Sequence, residues 1–249
     1  MNLLQHVFGT DKLVEAIMLR NWPEVQLIVN ERPRKARILY RIVSKSGPTV
    51  ALPLHHCLMN DAPYQVVRDL MKAYPVGIFL CDSIEKRYPL HIACEAEASL
   101  HSYKVIKTLL EASPDLAMVR DKSGRLPLHH AISNKAKLNV IAALLESSAN
   151  MAATQPDGKG WYPLHLACSR EVPYAIVQAL VVAWPGAVLK KVGAGRTTPI
   201  DILHAGNAGD KQSILVLLQN EAAELQNCPA SPKNSMMISV ANCCGRVVL

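Results

Sequence analysis

The sequence predicts an all-α solenoid, an elongated stack of about five to six helix-turn-helix units joined by short turns. Three observations lead to this fold class. Half of the 249 residues are hydrophobic but only 5% are aromatic, which favours packed helices over an aromatic-rich β-sandwich. A Pro-Leu-His motif recurs at a nearly constant spacing, and an apolar pattern of helical period follows each copy. One copy cannot bury its apolar face alone, so neighbouring copies must stack.

The repeated motif marks the start of each unit. It begins at Pro53, Pro89, Pro127 and Pro163, and a degenerate copy begins at Pro199, with spacings of 36, 38, 36 and 36 residues. Proline suits the first turn of a helix because an N–H there has no partner within the helix. Each of these prolines is therefore predicted to start the first helix of a unit, helix A.

A second helix, helix B, is predicted after each motif. Apolar pairs at i, i+1, i+4 and i+5 share one helical face, as in Val105-Ile106 followed by Leu109-Leu110. Pro75, Pro114 and Pro185 are predicted to end helix B, because proline cannot continue a helix. The second unit has three extra residues before its helix B, around Ala96–Ser102.

Stacking of the units predicts two continuous buried columns. The first is formed by the residue after each motif proline: Leu54, Leu90, Leu128, Leu164 and Ile200. The second consists mostly of small residues: Cys57, Ala93, Ala131, Ala167 and Leu203. Small residues let neighbouring A helices approach closely while the bulkier B helices splay outward, so the stack should be curved with a concave face.

The stretches Asp121 to Ala131 and Asp157 to Ala167 resemble the ankyrin repeat, whose core pattern is roughly D-x-x-G-x-T-P-L-H-x-A. The resemblance covers about residues 47–225. It implies a protein that binds another protein through a concave face, and a motif histidine that bonds to the backbone of adjoining loops. The threonine that usually precedes the proline is kept only at Thr198, so the threonine–histidine hydrogen bond of the family is mostly absent.

We divide the chain into three parts. Residues 1–46 are an N-terminal helical cap repeat with a basic connecting segment, residues 47–225 are the ankyrin-repeat domain, and residues 226–249 are a flexible C-terminal tail. The net charge is +7, and the surplus lies at the two ends, so the repeat region is nearly neutral. Whole-chain charge is therefore a poor argument for nucleic-acid binding, and we expect a monomer without a nucleic-acid partner.

The motif histidines invite a metal or catalytic hypothesis that the spacing does not favour. His55, His91, His129 and His165 lie in one column, where neighbours are about 10 Å apart, whereas zinc needs its nitrogens within about 2.1 Å. The usual metal, nucleophile and phosphate-loop motifs are missing from the sequence. We predict no catalytic residue, no metal, no cofactor and no small-molecule substrate. Cys94 and Cys168, which follow the motif, are predicted to be packing residues.

The resemblance implies where the partner would bind: at the turn tips, two residues before the motif proline, and six to seven residues after it. These positions are Met59, Asn60, Arg87, Glu95, Lys122, Arg125, Asn134, Lys159, Trp161 and Arg170. Arginine and tryptophan are the types most often found as interface hot spots. The bias toward arginine and lysine predicts a partner with acidic segments.

Two segments leave alternatives open. The basic run Arg32–Lys45 is a solvated insertion, a nuclear-import signal or a contact for an acidic partner. A nuclear regulatory protein that uses it on nucleic acid or an import factor is the alternative function. Cys243 and Cys244 are either unused cysteines or acceptors of palmitate. The apolar stretch Met236–Val240 could dock or bind something.

The sequence also predicts where the protein is found. It contains no apolar run of about 18 residues and begins without the pattern of a secretory signal. We expect a protein of the cytoplasm, with the nucleus as the alternative. A role as an adaptor within a larger assembly remains a further option, although no particular residue favours it.

Overall fold

The computed structural model describes most of the chain, in five ranges: residues 11–44, 47–95, 102–193, 195–205 and 210–227. Within these ranges the chain is a stack of paired helices, so the predicted all-α solenoid is confirmed. None of the helices in the described part combines the length and apolar content that a membrane span requires. The division into three parts stays a prediction, and residues 228–249 lie outside the described ranges.

The stack begins with the pair α1 (Lys12–Met18) and α2 (Trp22–Glu31). The A helices of the repeats follow, each starting at its motif proline: α3 (Pro53–Met59), α5 (Pro89–Glu95), α7 (Pro127–Ser133), α9 (Pro163–Arg170) and α11 (Pro199–Ala205). The B helices alternate with them: α4 (Tyr64–Ala73), α6 (Ser102–Ala112), α8 (Leu138–Ser147), α10 (Tyr174–Ala183) and α12 (Lys211–Asn227). Each A helix packs on the A helix of the next repeat, and each B helix on the next B helix.

Proline ends the B helices where the sequence predicts. Helices α4, α6 and α10 stop two residues before Pro75, Pro114 and Pro185. The chain does not enter a loop at once, however, but forms a short 3-10 turn that the sequence analysis did not predict. These turns are Pro75–Phe79, Pro114–Met118, Met151–Thr154 and Pro185–Leu189, and a similar one, Pro33–Arg37, follows α2.

A β-hairpin between α2 and α3 is the main departure from an all-helical fold. Strand β1 (Tyr40–Ser44) pairs antiparallel with β2 (Gly47–Ala51), Tyr40 lying opposite Ala51. β-Branched residues are concentrated in both strands, which favours extended backbone. The sequence analysis places residues 40–44 in the basic connecting segment and residues 47–51 in the repeat domain, and it predicts a strand in neither.

The core runs through the whole stack as one continuous cluster. Leu54, Leu90, Leu128 and Leu164 are each at most 3% exposed, and the second predicted column, from Cys57 to Leu203, is buried as well. Ile200 is only half-buried, contrary to prediction. It lies on α11, the last A helix of the described ranges, which has a neighbouring A helix on one side only.

The basic segment is tied to the N-terminal pair by Asp11. The Asp11 carboxylate caps α1 by accepting from Leu13 N–H at 2.9 Å, and it accepts from Lys35 Nζ at 2.7 Å and from Tyr40 Oη at 3.0 Å. Partial burial acts to raise the pKa of Asp11, but these donors outweigh it and hold the pKa below its usual value. Lys35 and Tyr40 therefore serve to hold the hairpin on α1.

Candidate partner-binding surface

A tight turn precedes each A helix from α5 onward, and we call these turns fingers. They comprise residues 82–87, 121–125, 157–161 and 192–197, residue 194 being outside the described ranges. In each finger the first N–H donates to a carbonyl near the other end, as Asp121 N–H does to Arg125 O at 2.9 Å. The fingers are thus closed by the same backbone bond in every repeat.

Three fingers begin with a buried aspartate whose carboxylate organises the turn. Oδ1 of Asp121 accepts from the N–H groups of Ser123 and Arg125, both at 2.8 Å. Oδ1 of Asp157 accepts from Lys159 and Trp161 in the same way, both at 2.9 Å. The side chains of Asp82, Asp121 and Asp157 are at most 4% exposed. Their negative charges are therefore used inside the protein.

Backbone hydrogen bonds join the hairpin and the fingers 82–87, 121–125 and 157–161 into one ridge. Ser83 N–H donates to Val50 O of the hairpin at 3.0 Å, Lys122 N–H to Glu85 O at 2.8 Å, and Gly158 N–H to Ser123 O at 2.9 Å. The hairpin thus forms the start of this ridge, ahead of the finger 82–87. The spacing of the tips is consequently fixed by backbone contacts between repeats.

Gly158 permits the closest of these approaches, and we expect Gly158→Ala to destabilise the protein. A Cβ at this position would lie 2.3 Å from Ser123 O, so the two fingers would have to separate. The loss of one backbone hydrogen bond and the strain should cost about 2 kcal/mol of unfolding free energy in urea titrations. Gly195→Ala, whose nearest neighbour would be Thr197 Oγ1 at 4.0 Å, is the matched control. Equal stability of the two variants would contradict the role assigned to Gly158.

The tips of the fingers have positively charged side chains that are exposed to solvent. Lys86, Lys122, Lys159 and Arg196 are all exposed, one on each of four successive fingers. The acidic residues that share these fingers are buried or, at Glu85, half-buried. The ridge therefore presents a row of exposed cationic side chains. The acidic residues of the same fingers do not neutralise these charges at the surface.

The motif histidines lie under the fingers and bind them. Nε2 of His91 donates to Arg125 O at 3.1 Å and Nε2 of His129 to Trp161 O at 3.3 Å, so each reaches the finger of the next repeat. His55 and His165 reach Leu80 O and Lys190 O, both at 3.0 Å. The structural role that the family resemblance implied is confirmed. Among the described residues, no group of three His, Cys, Asp or Glu side chains is arranged to hold a metal ion.

Burial keeps these imidazoles neutral. Desolvation lowers the pKa of His55, His91 and His129 to about 4, and neighbouring histidines add to the effect for His55 and His91. Nδ1 of His91 accepts from Tyr88 N–H at 3.2 Å, and Nδ1 of His129 from Leu126 N–H at 3.1 Å. In these two repeats a backbone N–H group thus replaces the missing threonine hydroxyl, whereas Nδ1 of His55 and of His165 is buried without a hydrogen-bond partner.

A second, charged network links the second and third repeats. Arg87 donates to Asp82 Oδ2 at 2.9 Å and to Glu95 Oε2 at 2.8 Å. The other Glu95 oxygen lies 3.0 Å from His130 Nδ1, whose Nε2 lies 2.8 Å from Asp121 Oδ2. Burial acts to raise the pKa of Glu95, but His130 and Arg87 outweigh it and hold the pKa below its usual value.

The structure places the ten predicted contact residues in two groups. Lys122, Lys159, Asn134 and Arg170 are exposed, whereas Met59, Asn60, Arg87, Glu95, Arg125 and Trp161 are half-buried. Arg87 and Glu95 are brought together as an ion pair, and Arg125 lies 3.8 Å from Asp157. The buried partners Asp82 and His130 were not singled out from the sequence. The doubled histidine of the third motif, His129-His130, was the available signal for the latter.

The predicted packing cysteines are buried and unreactive. Cys94 and Cys168 are at most 3% exposed, and burial raises the pKa of the Cys168 thiol to about 12. Cys243 and Cys244, considered for lipidation, lie outside the described residues.

A stack of helix pairs with a ridge of fingers defines a repeat protein that acts by presenting a surface to another protein. In agreement, the family model for ankyrin repeats, in three copies, matches residues 54–155. Residues 54–155 are thus ankyrin repeats.

A relative from Saccharomyces cerevisiae (strain ATCC 204508 / S288c), named probable 26S proteasome regulatory subunit p28, is 36% identical over 83 residues. The similarity covers 33% of this chain and 34% of the relative, so the chain matches about a third of the length of that protein. Ankyrin repeats mediate protein–protein interaction, and both comparisons favour a binding role over catalysis.

Proposed function

We propose that this protein is a non-catalytic scaffold or adaptor that binds an acidic segment of another protein along its finger ridge and A helices. The observation that carries the proposal is the sign of the charge at the tips. Buried aspartates shape the fingers, and the exposed residues Lys86, Lys122, Lys159 and Arg196 point their charge outward. An acidic segment is the complementary ligand.

The spacing of the tips strengthens the field that a partner would meet. Neighbouring repeats lie about 10 Å apart, which is also about the Debye length at 0.1 M salt, so the potentials of adjacent tips overlap. The backbone bonds between fingers hold this row in place before binding. A preformed surface loses little conformational entropy when a partner binds, which favours affinity.

The half-buried residues divide between binding and support. Trp161 and Arg125 lie at the base of their fingers and remain partly accessible, so we assign them to the rim of the contact. Arg87 and Glu95 neutralise each other, and their contribution to binding is indirect because they hold α5 against α7 through His130.

Reversing the tip charges should weaken binding of an acidic peptide. We expect Lys122→Glu with Lys159→Glu to lower affinity for a fluorescent glutamate-rich peptide at least about tenfold, since two favourable charge contacts become repulsive. Anisotropy at several salt concentrations measures the effect. Lys72→Glu with Lys107→Glu, on the outer faces of α4 and α6, changes the net charge equally and serves as the control. Equal loss in both double variants would contradict a finger-specific site.

The yeast relative suggests where to search for the physiological partner. Because that protein is named as a probable proteasome regulatory subunit, we propose that 26S proteasome subunits be the first candidates in affinity capture with the wild type and the tip variant. A cytoplasmic or nuclear location belongs to the same proposal and is tested by imaging of the tagged protein.

The alternative function of the basic run Arg32–Lys45 stays a prediction. Arg32, Arg34, Arg37 and Arg41 are exposed and leave positive charge on this flank. Lys35 is occupied by Asp11, and Ala36 is buried, so residues 33–37 are held against the repeats. A steep salt dependence of duplex binding that disappears in Arg34→Ala/Arg37→Ala would support the nuclear function.

A further inference from the structure

The outer faces of the B helices differ along the stack. The exposed positions of α4 and α6 are mostly charged, among them Arg68, Lys72, Lys104, Lys107 and Glu111. The corresponding positions of α10 and the first half of α12 carry no charge. We call these residues the neutral patch: Ala175, Gln178 and Val182 on α10, and Val216 and Gln219 on α12.

The neutral patch has the composition of a covered surface. Val182 is 75% exposed, the largest exposed fraction of any large hydrophobic side chain in the described part of the chain, and Val216 is 45% exposed. An open groove of about 580 Å³ borders the patch, lined by Tyr174 and Val216 and by the polar residues Asp210, Gln212 and Ser213. A helix that is apolar on all sides, such as α10, is normally buried on all sides. The exposed outer face of α10 is therefore a candidate docking surface.

We propose that residues Met236–Val240 of this chain dock on the neutral patch. This sequence, Met-Met-Ile-Ser-Val, is the first strongly apolar stretch after α12 and lies outside the described residues. It begins nine residues after Asn227, the last residue of α12. A connection of this length has an average span of about 15–18 Å. Helices α10 and α12 are packed neighbours, with axes about 8–10 Å apart, so the segment reaches α10 without strain.

The dimensions of the patch also favour a short segment over a second copy. The ten residues of α10 are about 15 Å long, and five extended residues span about 17 Å. Two helices of this length present roughly 300 Å², well below the 800 Å² or so that each partner of a stable complex buries. A tethered segment is instead present at a local concentration in the millimolar range, so a small contact suffices.

Charge complementarity agrees with this assignment. Residues 228–249 contain two basic residues, Lys233 and Arg246, and no acidic residue. The second half of α12, over which the segment must pass, carries Glu221 and Glu224. Burial and the neighbouring Glu224 raise the pKa of Glu221, so a nearby cation would relieve an existing repulsion. Lys233, three residues before Met236 in the sequence, is the cation that we assign to this contact.

Methionine oxidation in the full chain tests the docking. Docked methionines should react slowly with peroxide, so in the wild type Met236 and Met237 are expected to oxidise at least about threefold more slowly than the exposed Met151. Val182→Glu places a charge on the patch and should abolish the difference, whereas Lys107→Glu on α6 should preserve it. Ile238→Glu should speed the oxidation of Met236 and Met237 as much as Val182→Glu does. The double variant should show no further increase.

Two results would overturn the proposal. Equal oxidation rates of Met236, Met237 and Met151 in the wild type would show that the segment is free. Protection that rises with protein concentration, together with a dimer in sedimentation that Val182→Glu dissociates, would assign the patch to a second copy. Each of these results is independent of the fingers, because the neutral patch lies on the opposite side of the helix pairs.

Discussion

Acidification below pH 6 is expected to unfold this protein, because its histidines are buried without charge. The pKa of His55, His56, His91 and His129 is lowered to about 4, first of all by desolvation. The unfolded chain, in which the pKa is about 6.5, binds these protons more readily. These histidines therefore make their full contribution to the unfolding free energy above pH 6.5, and this contribution is lost as pH falls from 6.5 toward 4.

The size of this effect is large compared with the stability of a typical domain. Within this window each histidine lowers the free energy of unfolding by about 1.4 kcal/mol for every pH unit of acidification. Four of them together lower it by about 5 kcal/mol per unit. Domains have total unfolding free energies of about 5–15 kcal/mol. Urea titrations at pH 7.5, 6.5 and 5.5, followed by circular dichroism, should show this decline.

Histidine variants distinguish the pH dependence that comes from the buried histidines from that of the rest of the chain. His129→Gln should lower stability at pH 7.5 but reduce the pH slope by about one proton, since one titrating group is removed. His204→Gln changes an exposed residue on α11 and should leave the slope unchanged. A wild-type slope below one proton in this window would contradict the assignment of the column as neutral.

Arg87→Met is expected to be the most destabilising single change among the predicted contact residues. The Asp82 carboxylate is fully buried and bonded to Arg87, which also holds Glu95. Methionine has a similar length but no charge. Asp82 would keep the Glu85 N–H, which donates to its Oδ1 at 2.8 Å, but would be buried without a charged partner. Removing one member of a buried ion pair costs about 3–5 kcal/mol. The urea midpoint measures this loss.

A matched arginine provides the control for that change. Arg170 lies exposed on α9, and Arg170→Met is expected to alter stability by less than about 0.5 kcal/mol. A loss below 1 kcal/mol in Arg87→Met would mean that the network is dispensable. The comparison also shows that binding assays on Arg87 variants must be accompanied by a folding measurement.

Much of the candidate surface could be located from the sequence, but its chemistry could not. Positions two before the motif proline do lie at the finger bases, and the tip lysines are exposed. The pairing of Arg87 with Glu95 was not predictable, because the seven residues between them do not indicate that a side chain before the helix start contacts one at the helix end. The 3-10 turns and the β-hairpin were missed since short elements leave little periodicity.

The sequence alone determined the repeat, the ends of the helices and the buried columns. These follow from local rules: proline starts or ends a helix, and apolar residues at helical spacing need a neighbour to cover them. The tertiary structure decided which charges face solvent. Asp121 and Lys122 are adjacent in the chain. The Asp121 carboxylate turns inward and accepts from backbone N–H groups, whereas the Lys122 side chain is exposed. The position of Lys122 is fixed by its backbone N–H, which donates to Glu85 O of the preceding finger, a contact that no single repeat contains.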